Sequence, residues 1–214
     1  MSVTAPPLAP IFAATTDDQP VSPDEALERL INGNRRYIEN VPINTDHSAG
    51  RNARALGQQP FAAIVSCADS RVAPELIFDQ GPGALFVIRV AGNFITQYGL
   101  ASLEYGAAVL GIKLVVVLGH TSCGAVNAAI SSIQDNTLPA GHLPSIVNAI
   151  RPAVYDVLAD GPADLAAAAT ARNARLGAAK VRAAPPILSE MNRAGRLRSA
   201  AAIYDIASGQ VDFL

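Results

Sequence analysis

The sequence predicts an α/β fold, with a mainly parallel central sheet flanked by helices and an N-terminal helical arm. Three observations lead there. Three short apolar runs containing β-branched residues, 61–65, 84–88 and 114–118, are too short for helices. Their unbroken apolarity is that of strands buried on both faces. Helical stretches separate the later runs, and strand–helix alternation is the pattern of a parallel sheet with helices packed on it. Half of the 214 residues are hydrophobic, enough for the core of one generous domain.

The elements follow in order. Residues 1–21, rich in Pro, Ala and Thr, read as a flexible arm. Ser22-Pro23-Asp24-Glu25 has the form of a capping box with proline at the first helical position. Leu27, Leu30, Ile31 and Ile38 then recur at helical spacing, so a helix runs to about residue 39. Arg35 and Arg36 read as its solvent face. Residues 40–60 read as loop or broken helix. The strands at 61–65 and 84–88 precede a helix over 98–110, and the strand at 114–118 precedes a helix over 124–133. Residues 144–193 are mostly helical, with breaks at Gly161-Pro162 and Pro185-Pro186. A terminal strand over 200–206 turns at Ser208-Gly209 into a short edge piece, 210–214. No repeat or internal boundary interrupts 22–214, which reads as a single α/β domain.

Composition removes several classes of function. A net charge of −2 is not that of a nucleic-acid binder. No apolar run reaches the roughly 18 residues of a membrane span, so no membrane partner is expected. The charged share of 16% lies well under the usual share of about 25%. So little charge implies apolar surface hidden between subunits, and a homo-oligomer is expected. The first twenty residues lack a basic start, and Pro6, Pro7, Pro10, Asp17 and Asp18 break any apolar segment. A cytoplasmic, reducing setting is therefore expected, where two cysteines serve as thiols or thiolates.

The chemistry gathers at two strand ends. Cys67 closes the first buried run, in Ser66-Cys67-Ala68-Asp69-Ser70-Arg71, and His120 and Cys123 follow the third, in Gly119-His120-Thr121-Ser122-Cys123-Gly124. Ligands of open α/β sheets bind at the carboxyl ends of strands. Two thiolates and an imidazole are good zinc ligands, and three protein ligands leave a fourth place for water, as catalytic sites do. Asp69 is the local residue able to fill or control that place, and Arg71, two residues on, can hold it off the metal through a bidentate pair. If the pair breaks, Asp69 becomes a fourth ligand and closes the site. Two thiolates cancel the charge of Zn²⁺. Such a centre should acidify water less than three neutral histidines, which bring it to about pKa 7. Activity should therefore keep rising with pH above neutral.

Cys67-x-Asp69-x-Arg71 followed by His120-x-x-Cys123 resembles the metal-site signature of the β-class carbonic anhydrases, in the style of the plant-like subgroup. The resemblance implies one Zn²⁺ per chain on Cys67, His120 and Cys123, with Asp69 and Arg71 as a gating dyad. It implies reversible hydration of CO₂ to bicarbonate by metal-hydroxide attack. It also implies substrate-binding roles for Gln58, Phe86, Tyr105 and Gly124, with Gln58 and Tyr105 approaching the zinc of a neighbouring subunit, in a dimer or tetramer. Two other readings stay open on the residues alone. One is a zinc hydrolase of carbonyl sulfide or carbon disulfide on the same scaffold. The other is a non-catalytic zinc or redox protein.

Overall fold

The computed structural model describes residues 22–48 and 50–214. The arm expected over 1–21 lies outside the described residues. The chain begins with α1 (Pro23–Ile38), followed by a short α2 (Arg51–Arg54). Ser22 caps α1 in the expected way. Its Oγ accepts from the Glu25 N–H at 3.2 Å, and the Ser22 N–H donates back to Glu25 Oε2 at 3.1 Å.

Five strands form one sheet in the order β2-β1-β3-β4-β5. They are β1 (Ala62–Ser66), β2 (Leu85–Arg89), β3 (Leu114–His120), β4 (Arg198–Tyr204) and β5 (Val211–Phe213). The first four are mutually parallel, and β5 runs antiparallel to β4. The helices between them are α3 (Pro74–Ile77), α4 (Gln97–Ala108), α5 (Gly124–Gln134), α6 (Leu143–Leu158), α7 (Leu165–Ala183) and α8 (Ile187–Arg193). The apolar runs behave as their composition requires. Every residue of β1 and β3 is buried, with Ile64, Leu114, Val116 and Leu118 in one core and Ala63, Val65, Val115 and Val117 in the other. The first core lies under α1 and α3, the second under α4, α7 and α8.

Helix α1 is fixed by polar contacts as well as by Ala26 and Leu30. Asn34, buried on its inner face, donates from Nδ2 to Ile77 O at 3.1 Å and to Gly209 O at 2.9 Å, while its Oδ1 accepts from the Val211 N–H at 2.9 Å. One expectation is corrected on this helix. Arg36 is not merely solvated: it pairs with Asp79, a buried carboxylate that also accepts from the N–H groups of Ile43 and Asn44 at 3.1 and 3.0 Å. The partner arises on the turn after α3, four residues too short to leave a period in the sequence.

Candidate metal centre

The sheet order explains why distant residues meet. From β1 the chain crosses to β2 on one side, then returns to place β3 on the other side of β1. The carboxyl ends of β1 and β3 therefore flank the point where the winding reverses, the usual crevice of an open parallel sheet. Register brings the ends level, since Ser66 pairs with Leu118. Cys67 leaves β1 one residue later and His120 closes β3. Cys123 then stands as N-cap of α5, after a tight turn in which Ser122 adopts a left-handed conformation (φ 57°).

Ligand atoms of Cys67, His120 and Cys123 all lie within 4.8 Å of one another, and all three side chains are buried. His120 Nδ1 lies 2.9 Å from Thr121 O, to which it must donate. That bond fixes the tautomer and leaves a lone pair on Nε2. Nε2 is buried and finds no hydrogen-bond partner among the described residues. An orphaned imidazole nitrogen is costly unless a cation takes its lone pair. Two buried free thiols beside it complete a soft donor set suited to zinc. The residues present therefore fit the metal.

Asp69 stands at the mouth of the cluster, with Oδ2 3.9 Å from His120 Nε2. Arg71 grips it from three points: Nε to Oδ1 at 2.9 Å, Nη2 to Oδ2 at 2.7 Å, and the backbone N–H to Oδ1 at 3.0 Å. Arg71 Nη2 also reaches Ser122 O at 3.5 Å, tying the two motif loops together. The Arg71 guanidinium holds the Asp69 carboxyl well below the usual carboxylate range. Between the sulfurs, the Cys123 thiol donates to Cys67, which lowers the Cys67 pKa and raises that of Cys123. Burial opposes charge on His120, but the neighbouring Cys67 and Thr121 O outweigh it and raise its pKa.

Residues 62–211 match the carbonic anhydrase family. The chain belongs to the β-carbonic anhydrases. It is 47% identical over 144 residues to carbonic anhydrase 2 of Mycobacterium tuberculosis, a match covering 65% of this chain and 68% of that one. It is 37% identical over 170 residues to a carbonic anhydrase of Pseudomonas aeruginosa, covering 75% and 76%. Among solved structures it resembles the β-carbonic anhydrase CcaA with a TM-score of 0.67 and 29% identity, over 89% of this chain and 92% of that one.

For a β-carbonic anhydrase, the remaining expected residues fall in three places. Phe86 on β2 and Tyr105 on α4 meet, with ring centroids 6.5 Å apart and planes tilted by 43°. Gly124 opens α5 beside Cys123, with open space where a side chain would stand. Gln58 is exposed on the loop before β1 and is not part of the cluster. Sequence reasoning missed the residues that hold the site from outside. Arg89, at the end of β2, donates from Nε to Cys67 O at 3.1 Å and from Nη2 to Asp69 O at 2.6 Å. Its signal was available: a cation closing an otherwise apolar strand. Thr121 accepts at Oγ1 from the Ile206 N–H at 3.1 Å, stapling the His120 turn to the end of β4. The Gly92 N–H donates to Cys67 Sγ at 3.2 Å, and nothing local in the sequence announces that contact.

Proposed function

We propose that reversible hydration of CO₂ to bicarbonate, the activity of this family, is carried in this chain by Cys67, His120 and Cys123 as zinc ligands with Asp69 and Arg71 beside them. The observation that carries the reading is the trio of buried ligand atoms within 4.8 Å, bordered by a carboxylate already forked to an arginine. Zinc held there would supply a Lewis acid that lowers the pKa of bound water and makes it nucleophilic.

The chain's own groups do the rest. Asp69, held ionised by Arg71, accepts a hydrogen bond from the reacting water and orients its lone pair towards CO₂. A carboxyl so far below its ordinary range does not retain a proton at neutral pH. Asp69 is thus an acceptor that orients, and the proton released with each bicarbonate passes on to solvent or buffer. Phe86 and Tyr105 form an apolar wall suited to a ligand without charge. Gly124, with no side chain, keeps the space beside Cys123 clear. Gln58, exposed in the single chain, supplies its amide to a neighbouring subunit's substrate. The low charge content and the position of β2 at the sheet edge among the described residues, half-buried at Phe86, Val87 and Ile88, support a homodimer or a larger assembly of such pairs. Among the described residues no helix is long and apolar enough to cross a membrane. Two buried, unbridged thiols suit a reducing cytoplasm.

Stopped-flow CO₂ hydration, run beside zinc analysis of the same sample, tests the proposal. One zinc per chain, with activity that a chelator removes and zinc restores, is the expected result. Zinc without hydration, or sulfide release from carbon disulfide in its place, would overturn it.

A further inference from the structure

Gly92 is held on two sides and free on neither. It adopts a left-handed conformation (φ 82°) that glycine visits easily and other residues rarely. A Cβ there would stand 2.5 Å from Ile150 Cδ1 and 3.1 Å from Ala125 Cβ, so the backbone is pressed against α5 and α6. Glycine's freedom is a liability for a donor that must point at one sulfur, because the adjoining peptide planes can rotate. A clamp from elsewhere is needed. Asn173 of α7, 4% exposed in a helix otherwise rich in alanine, donates from Nδ2 to Gly92 O at 2.8 Å. An amide buried in apolar packing costs free energy unless it is bonded, and Ala would fill this face without that cost.

We infer that Asn173 is a positioning residue of the metal centre: by holding the Gly92 carbonyl, it keeps the Gly92 N–H aimed at the Cys67 sulfur. A hydrogen bond to a metal-bound thiolate draws charge from sulfur and lowers its donation to the metal, and outer-shell partners of this kind tune metal sites. The chain is Asn173 Nδ2 to Gly92 O, then Gly92 N–H to Cys67 Sγ. It enters from a helix that carries none of the signature residues. The inference rests on Cys67, His120 and Cys123 being the metal site.

The test uses the full chain loaded with cobalt(II). Asn173→Leu, similar in volume but with no donor, moves the sulfur-to-cobalt charge-transfer band to longer wavelength, because a thiolate relieved of a hydrogen bond yields its electrons more readily. Asn173→Ala does the same. Ser132→Ala removes a different buried polar group, on α5 and more than two turns beyond Cys123, and leaves the band in place. An unshifted band in a folded, cobalt-loaded Asn173 variant overturns the inference. Failure of the native protein to take up cobalt or zinc overturns the metal-site reading instead. If neither Asn173 variant folds, the native protein loaded with cadmium-113 decides: scalar coupling between the Gly92 amide proton and cadmium is expected through the sulfur, and its absence overturns the inference.

Discussion

Asp69 Oδ2 lies 3.9 Å from the orphaned His120 Nε2, but the carboxylate is already forked to Arg71. Two parallel N–H···O bonds and a third from the Arg71 backbone hold Asp69 on the arginine. Removing the carboxylate should therefore abolish orientation of the reacting water without unloading the site. Asp69→Ala is expected to keep one zinc per chain and lose about 10²- to 10³-fold in kcat, the scale for removing one preorganised hydrogen-bonding group. Unchanged turnover would remove Asp69 from the mechanism. The ligands themselves give a pH dependence with a definite sign. Cys123 and His120 have pKa values raised by their contact with Cys67, so protons compete with the metal for both. Zinc binding releases those protons, and affinity must rise with pH. Chelator competition from slightly acidic to slightly alkaline buffer should show steady tightening; a flat profile would contradict the ligand assignment.

At the level of elements, α1 is the part most sensitive to small changes. Gly33 faces α3 so closely that a Cβ would stand 1.8 Å from Phe78 O, a backbone atom that cannot step aside alone. Gly33→Ala gains about 1 kcal/mol of helix propensity, but overpacking costs about 1–3 kcal/mol and a backbone clash sits at the upper end. The clash wins, and the denaturation midpoint should fall. Asp79 ties the same helix to the following loop. Burial alone raises its pKa, but Arg36 and the Ile43 and Asn44 N–H groups outweigh that and hold it below the ordinary value. Its contribution is complete above the unfolded value of about 3.9 and is lost as pH falls through the lower, folded one. Asp79→Asn should cost about 1.5–3 kcal/mol at neutral pH and little in strong acid; equal loss at both would show that charge is not the cause. These two contacts also mark where sequence reading stops. β1 and β3 were legible because two-sided burial imposes unbroken apolarity, and their ends shifted by a residue or two because solvent does not enforce them. The clustering of Cys67, His120 and Cys123 and the Asp69–Arg71 pair were legible because these residues sit in two contiguous motifs. Arg36–Asp79, Arg89–Cys67 and Asn173–Gly92 span 43, 22 and 81 positions. Their pairing is made by the sheet order, which no local pattern encodes.

For the whole molecule, the issue is what covers the apolar surface that so few charges leave bare. Among the described residues strand β2 forms one edge of the sheet, and an edge carrying half-buried Phe86, Val87 and Ile88 is a template for association. Tyr105 lies against Phe86, and Tyr98, seven positions earlier on α4, is 86% exposed. Residues seven apart share a helix face, so α4 presents two aromatics on one side. Aromatic side chains are enriched in interfaces, and their exposure in the single chain is explained if a second copy packs there. That arrangement would also set the proposed substrate wall of Phe86 and Tyr105 beside the boundary between subunits, where Gln58 of a neighbour could arrive. Tyr98 makes a clean probe, because a residue so exposed costs the single chain no more than about 0.5 kcal/mol on replacement. Sedimentation equilibrium of the native protein should give at least twice the chain mass. Tyr98→Lys should shift the population towards single chains with an unaltered thermal transition in the far-ultraviolet signal extrapolated to high dilution. If native chains sediment singly, the shared site disappears. If Tyr98→Lys leaves the mass unchanged, α4 lies outside the interface and Tyr105 cannot serve a neighbour's substrate.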